Sequence, residues 1–218
     1  MIIGHYAVGF ASKRFAPRSS LGVLMAAPLL LDLLWTVFLT LRWASVRISP
    51  GGRAFSPLQF ISYSYSHSLA IAALWATICS VLYFLLTRYR SGAIAIWIGV
   101  VSHWFMDLIV HPADLGLIPG SKLRFGFGLW NYPLLTILIE SILFLLAAWM
   151  YLRVTRPKDK VGVYGCWALF VLMGISYLSV ILGPPPPDLR MLMVVSYAMW
   201  IFVLWAWWVD RHREQRFV

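Results

Sequence analysis

His103, Asp107 and His111 recur every four residues in the run VSHWFMDLIVH, residues 101–111. On an α-helix that spacing lays them along one slanting polar stripe. A histidine and a carboxylate one turn apart can reach a single ion from one helix face, and the same groups can relay a proton. The run lies inside an apolar segment, where ionisable side chains are costly and persist mainly when they face a bundle interior, a partner or an ion. His5, Asp32, His67 and Glu140 are further groups of this kind, each within or at the edge of another apolar stretch, and no Lys or Arg lies among them.

The stretches that must position these residues are membrane spans. The 218 residues are 61% hydrophobic and 12% charged, and the mean hydropathy is +0.79. A soluble domain carries about twice that charged fraction, so the composition indicates an integral membrane protein. Six windows reach the roughly 20 residues needed to cross a bilayer: 21–41, 68–87, 92–110, 133–152, 161–182 and 191–209. Each is continuously apolar rather than alternating, so the spans are helices and not barrel strands. The expected fold is all-α, a single polytopic bundle over 1–218 of six transmembrane helices plus a short N-terminal half-span helix within residues 1–17.

The net charge of +10 raises a nucleic-acid reading that its distribution removes. With six spans, twelve Lys and Arg fall on one side (13, 14, 18, 88, 90, 153, 156, 158, 160, 211, 213, 216) and six on the other (42, 47, 53, 122, 124, 190). The positive-inside rule then places both termini in the cytoplasm. The basic excess reflects topology and contact with anionic headgroups, so the expected partners are membrane lipids and not nucleic acid. Cys79 and Cys166 lie inside apolar spans and form no disulfide framework or CxxC pattern. Lys13 and Arg14 follow the first apolar stretch, which is not the order of a cleaved signal peptide.

Between the first two spans, Pro50, Gly51, Gly52 and Pro57 precede the hydroxyl-rich run FISYSYSHS. Pro112 ends the third span, and the Gly/Pro-rich loop 112–131 is long enough to cover the outer mouth as a lid, with Trp130 and Asn131 as candidate substrate contacts. Spans five and six carry no interior charge and read as packing and lipid-facing wall; the stiff PPPPD joins them. Depths follow from the helix rise of ~1.5 Å per residue. His5, Asp32, His103 and Glu140 come out within about 6 Å of the midplane, with Asp107 about 9 Å beyond it. His67 and His111 come out nearer the outer interface.

Three carboxylates and four histidines without a cation must be neutralised by protons or by a divalent metal. Mixed His/Asp/Glu ligation suits zinc or another first-row ion. His111 lies ~12 Å along the axis from His103, so it either serves a second ion or meets substrate. Ser66 beside His67 is a candidate substrate contact and a weaker nucleophile candidate, because a sequence-adjacent Ser-His pair seldom has the geometry for attack.

The early Gly4-His5, the apolar LLLDLLW around Asp32, YSHSL around His67 and SHWFMDL around His103 and Asp107 together resemble the YdjM-like bacterial family of membrane-bound metal-dependent hydrolases. The resemblance covers residues 1–115. It implies that His5, Asp32, His67, His103 and Asp107 are metal ligands, that the protein sits in the bacterial cytoplasmic membrane, and that the reaction is hydrolysis of a phosphoester or lipid, as in zinc-dependent phospholipase C. Asp32 stands in LLLD where the family shows PDxD, one carboxylate fewer. Asp107 or Glu140 is then the expected general base, Glu140 being the one intramembrane carboxylate outside the resembling motifs. Two other readings use the same residues: a proton- or ion-coupled transporter, and a cytochrome b-like protein with paired histidines on a haem.

Overall fold

The computed structural model describes residues 1–49 and 56–216; Pro50, Gly51, Gly52 and Arg53, read above as loop and as outer charge, lie outside them. Six helices are long and apolar enough to cross a membrane, so this is a multi-pass membrane protein of all-α class. In chain order the helices are α1 (Ile3–Ser12), α2 (Leu21–Thr40), the single turn α3 (Ser64–His67), α4 (Leu69–Thr87), α5 (Arg90–Val110), α6 (Pro133–Val154), α7 (Lys160–Leu182), α8 (Leu189–Ala198) and α9 (Trp200–Arg211). The sixth span, Leu189–Arg211, is α8 and α9 end to end, as the single window predicts; Met199 between them keeps a right-handed helical backbone (φ −61°, ψ −22°).

The short α1 is the hub. Rather than lying at the interface, it is threaded into the bundle against α2, α5, α6 and α7. Phe10 is fully buried, with rings of Phe144, Tyr151 and Phe170 5.2–6.0 Å away in edge-on contact. Close approach to α2 requires Gly9, because a Cβ there would stand 2.6 Å from the Met25 Cα. By contrast, α4 packs mainly on α5 and buries only Ala72 and Ala76. It forms the outer wall of the bundle.

The two ends differ. At one end, β1 (Ser45–Ile48) and β2 (Leu58–Ser62) form an antiparallel hairpin beside the 112–131 loop, which contains its own short pair β3 (Leu115–Gly116) and β4 (Arg124–Phe125). The loop folds back on α5 through Phe127 N–H to the Leu108 carbonyl (2.8 Å) and Gly128 N–H to the His111 carbonyl (2.7 Å). At the other end, β5 (Thr155–Pro157) pairs with β6 (Arg213–Gln215), tying the α6–α7 connection to the C-terminal segment. Arg18, Arg88, Arg153 and Arg211 lie over Tyr89, Phe84, Trp149 and Trp207 at this basic end. His212 Nδ1 donates to Asp159 at 2.7 Å, and that contact holds the Asp159 carboxyl below its usual range.

The same end holds a buried ion pair. Lys13 Nζ donates to Asp210 at 2.6 Å and to the Ser19 carbonyl at 2.8 Å, while Asp210 also accepts from Leu21 N–H (3.0 Å) and the Tyr151 hydroxyl (3.1 Å). Breaking a buried pair leaves an uncompensated charge, at a cost of about 3–5 kcal/mol. Asp210→Ala should therefore unfold at clearly lower temperature in detergent than wild type. Lys13→Ala combined with Asp210→Ala should recover part of the loss; a double variant no more stable than Asp210→Ala alone contradicts the pairing.

Candidate metal centre

The site forms where α1, α2, α3 and α5 meet. Gly99 lets α5 approach α2, since a Cβ there would be 3.0 Å from the Ala27 Cβ and 3.4 Å from the Pro28 ring. One turn on, His103 Nδ1 donates to the Pro28 carbonyl at 2.6 Å. A carbonyl can only accept, so that nitrogen carries the proton, and in the neutral ring His103 Nε2 carries the lone pair.

His67 is set by a different device to the same end. It sits at the break between α3 and α4, where Ser68 is extended. The Ser66 hydroxyl donates to the Tyr63 carbonyl (3.0 Å) and lies 2.8 Å from His67 Nδ1. With its proton committed to Tyr63, Ser66 accepts from His67 Nδ1–H, and Nε2 is again the bare nitrogen. His111 repeats the pattern with a carboxylate: Nδ1 lies 3.0 Å from Asp114 Oδ1, which also accepts from the Tyr63 hydroxyl at 2.8 Å. Its Nε2 faces Asp107 Oδ2 at 3.8 Å. An outer acceptor on each ring that fixes the tautomer is the usual support of metal-binding histidines.

The bare nitrogens converge. His103 Nε2 and His67 Nε2 are 3.2 Å apart. Asp107 Oδ2 lies 3.1 Å from the first and 3.8 Å from the second; Asp32 Oδ1 lies 3.7 and 3.5 Å from them. His5 stacks on His103 with centroids 3.9 Å apart and planes 5° from parallel, and its Nε2 is 3.1 Å from Asp107 Oδ1. Two groups of ligand atoms, His5–His103–Asp107 and Asp32–His67–His103, are each compact enough to hold a metal ion, and they share His103. Every member is buried except Asp32, whose side chain is 46% exposed and opens onto a chamber.

Three expectations change at this point. His67 belongs to the cluster rather than to the interface: the chain re-enters as a one-turn helix, which an axial count from the ends of α4 does not include. Ser66 is a positioning group, because its hydroxyl is engaged on both sides. Glu140 is fully buried elsewhere: its Oε2 accepts from Ile2 N–H (2.9 Å) and Gly4 N–H (3.1 Å), holding the first turn of α1. A carboxylate so engaged anchors His5 rather than taking protons from a substrate. The Met1 nitrogen stands at this edge of the cluster, 2.5 Å from Asp107 Oδ1 and 3.0 Å from His5 Nε2. The lone signal for Asp114 was its place three residues after His111.

The chamber has a volume of about 1130 Å³. His5, Asp32, His67, Asp107 and His111 line one side with Trp130 and Asn131; the rest is Trp35, Phe60, Pro184–Pro187 and Met199, among others. Phe60, from the hairpin, and Trp130, from the loop, flank the His111 ring at 5.1 and 4.3 Å. Spans five and six therefore contribute a site wall as well as packing. No protein-family model, no curated protein and no solved structure matches the chain.

If the converging nitrogens and carboxylates hold a metal, purified protein should retain at least one divalent ion per chain by plasma emission spectrometry. His103, shared by both groups, is the decisive position: His103→Ala should lose the ion, as should Asp107→Ala, while His212→Ala at the opposite end should keep it. Wild type without stoichiometric metal after zinc reloading excludes the metal reading.

Proposed function

We propose that the protein is a zinc-dependent integral membrane hydrolase acting on a lipid or lipid-linked ester or phosphoester. The observation that carries this reading is the 3.2 Å separation of two imidazole nitrogens whose protons are both committed elsewhere. Two nitrogen ligands on a tetrahedral zinc, each at about 2.0–2.1 Å, stand roughly 3.3 Å apart. That spacing leaves no room for a haem plane between the rings, so the cytochrome-like reading loses its support. The resemblance of residues 1–115 to the YdjM-like hydrolases points to the same ligands.

His103, His67, Asp107 and Asp32 would hold the ion, with His5 completing the set on the α1 side. When bound, zinc lowers the pKa of a coordinated water and polarises a carbonyl or phosphoryl oxygen. The chain supplies the rest. Asp32 stands where the buried cluster opens into the chamber, so substrate meets the centre on that side. His111 is outside both ligand groups, lines the chamber, and has its Nδ1–H held by Asp114. It is the group placed to exchange a proton with a substrate atom at Nε2. Trp130 and Phe60, on either side of its ring, narrow the water around that transfer and so strengthen it.

The 12-to-6 division of Lys and Arg supports cytoplasmic termini in a bacterial inner membrane, with the chamber end on the outer face. Reporter fusions at 88–91, 153–160 and the C-terminus should then read cytoplasmic, and fusions at 45–49 or 112–131 should read external.

Assays on phospholipids, lipid phosphates and acyl esters, run beside metal analysis, test the activity. His111→Gln should keep its metal and lose about 10²–10⁴-fold in rate, the range expected for removal of a general acid or base. Glu140→Gln should lower metal content and stability together by loosening α1. Metal-loaded wild type that cleaves nothing on such a panel rules out hydrolysis of these classes.

A further inference from the structure

A second, smaller cavity of about 390 Å³ continues from the chamber. Ile2, Tyr6, Ser179, Val180, Val195 and Met199 wall both spaces. From these shared residues the cavity runs along α7 from Val180 back to Met173, about 10 Å along the helix axis. It therefore leaves the polar centre and heads towards the middle of the bilayer.

Three features of the chain make this a slot with an open flank. The consecutive helices α7 and α8 scarcely touch, although α7 packs well on α9 and α8 on α2. The Pro184–Pro187 connection at their outer ends is too stiff to draw them together. Below, the Met199 carbonyl takes the Tyr6 hydroxyl at 3.2 Å, which ties α1 to this wall of the slot. Ser179, Val180, Val195 and Ala198 are exposed along the seam, so the slot is open on its membrane side.

The wall is apolar except at a few points. One of them decides the ligand. Tyr177 is 4% exposed, lines the slot, and has a buried hydroxyl without a hydrogen-bond partner. A hydroxyl withdrawn from water without an acceptor is costly, and no hydrogen bond to it forms in the structure. A pure alkyl chain would leave it so. An ester carbonyl at the root of an acyl chain would satisfy it.

We propose that the seam between α7 and α8–α9 is a lateral entrance that binds the acyl chain of an ester-linked lipid, with the ester carbonyl accepting from Tyr177 and the head group in the chamber against Asp32 and His111. This rests on the lipid-hydrolase reading and names the part of the substrate that reading leaves open. A lipid enters sideways from the leaflet at the hairpin end without leaving the bilayer. The chamber then recognises the head and the slot recognises the chain.

The test is photolabelling of the full-length protein in phosphatidylglycerol vesicles that contain a phosphatidylglycerol with a diazirine on one acyl chain. Adducts should map to Ser176, Ala198 and their neighbours in the slot, in protein stripped of metal as well as loaded. Labelling in stripped protein separates chain binding from hydrolysis, so a metal-free or inactive protein can fail the hydrolase reading while leaving this one standing. Ala198→Trp, on the open side, should reduce slot adducts about tenfold, whereas Leu172→Trp on the outer face of α7 should not. Unlabelled diester phosphatidylglycerol should compete about fivefold better than its diether analogue, the worth of roughly one hydrogen bond, and Tyr177→Phe should erase that preference. Adducts confined to outward-facing residues such as Leu172 and Leu178 would overturn the proposal. Equal competition by ester and ether lipid in wild type would overturn the role of Tyr177.

Discussion

Two unprotonated imidazole nitrogens 3.2 Å apart repel one another, and the carboxylate oxygens beside them add to the repulsion. Water screens such a contact in solution; inside a bundle the low dielectric magnifies it. The arrangement holds together only with positive charge in its middle, whether a shared proton, an amine or a metal. Much of the fold can be understood as the means of bringing these groups together against that cost. Pro28, Ser66 and Asp114 each fix one ring from behind, so the repulsion cannot relax by ring rotation without breaking a buried hydrogen bond worth about 1 kcal/mol or more.

The placement of α1 follows from the same constraint. A ten-residue helix that stops within the bundle exposes unpaired N–H groups where no water can take them. Glu140 accepts two of these backbone protons, so a charged residue in α6 makes it possible for a half-span to end beside the cluster. His5 and the Met1 nitrogen reach Asp107 only because that end is stabilised. Glu140 and the histidine–aspartate centre are thus coupled through the backbone of α1 and not through a shared ligand.

The sequence shows the fold well, because each span is a continuous apolar run whose length is set by the bilayer. Windows and helices agree to within two residues at most ends. The contact of the Tyr6 hydroxyl on the Met199 carbonyl within the sixth span is tertiary, and no residue type along that span signals it. The buried cluster was legible because ionisable residues in apolar surroundings are conspicuous, as His103 and Asp107 show. Roles were less so. Glu140 looks from composition like any intramembrane carboxylate, and only its partners distinguish an anchor from a base. Spans five and six carry no charge, so nothing in them signalled a binding wall: an apolar cavity is a property of packing between helices, not of any one helix.

The two ends of the bundle divide the work of stability and access. The basic end is closed by the β5–β6 ladder and by Lys13–Asp210, with Tyr151 and Leu21 on the same carboxylate. The hairpin end instead carries the chamber, the half-exposed Asp32, and the poorly packed seam between α7 and α8. A flank where helices do not close on each other forfeits packing energy. The buried Lys13–Asp210 pair and the β5–β6 ladder brace the far end, while the seam between α7 and α8 stays open. Asp32 hangs from α2, and His103 and Asp107 from α5; these two helices pack tightly through Gly99 and Pro28, so most of the buried cluster rests on the well-packed half of the bundle and the seam lies in the other half.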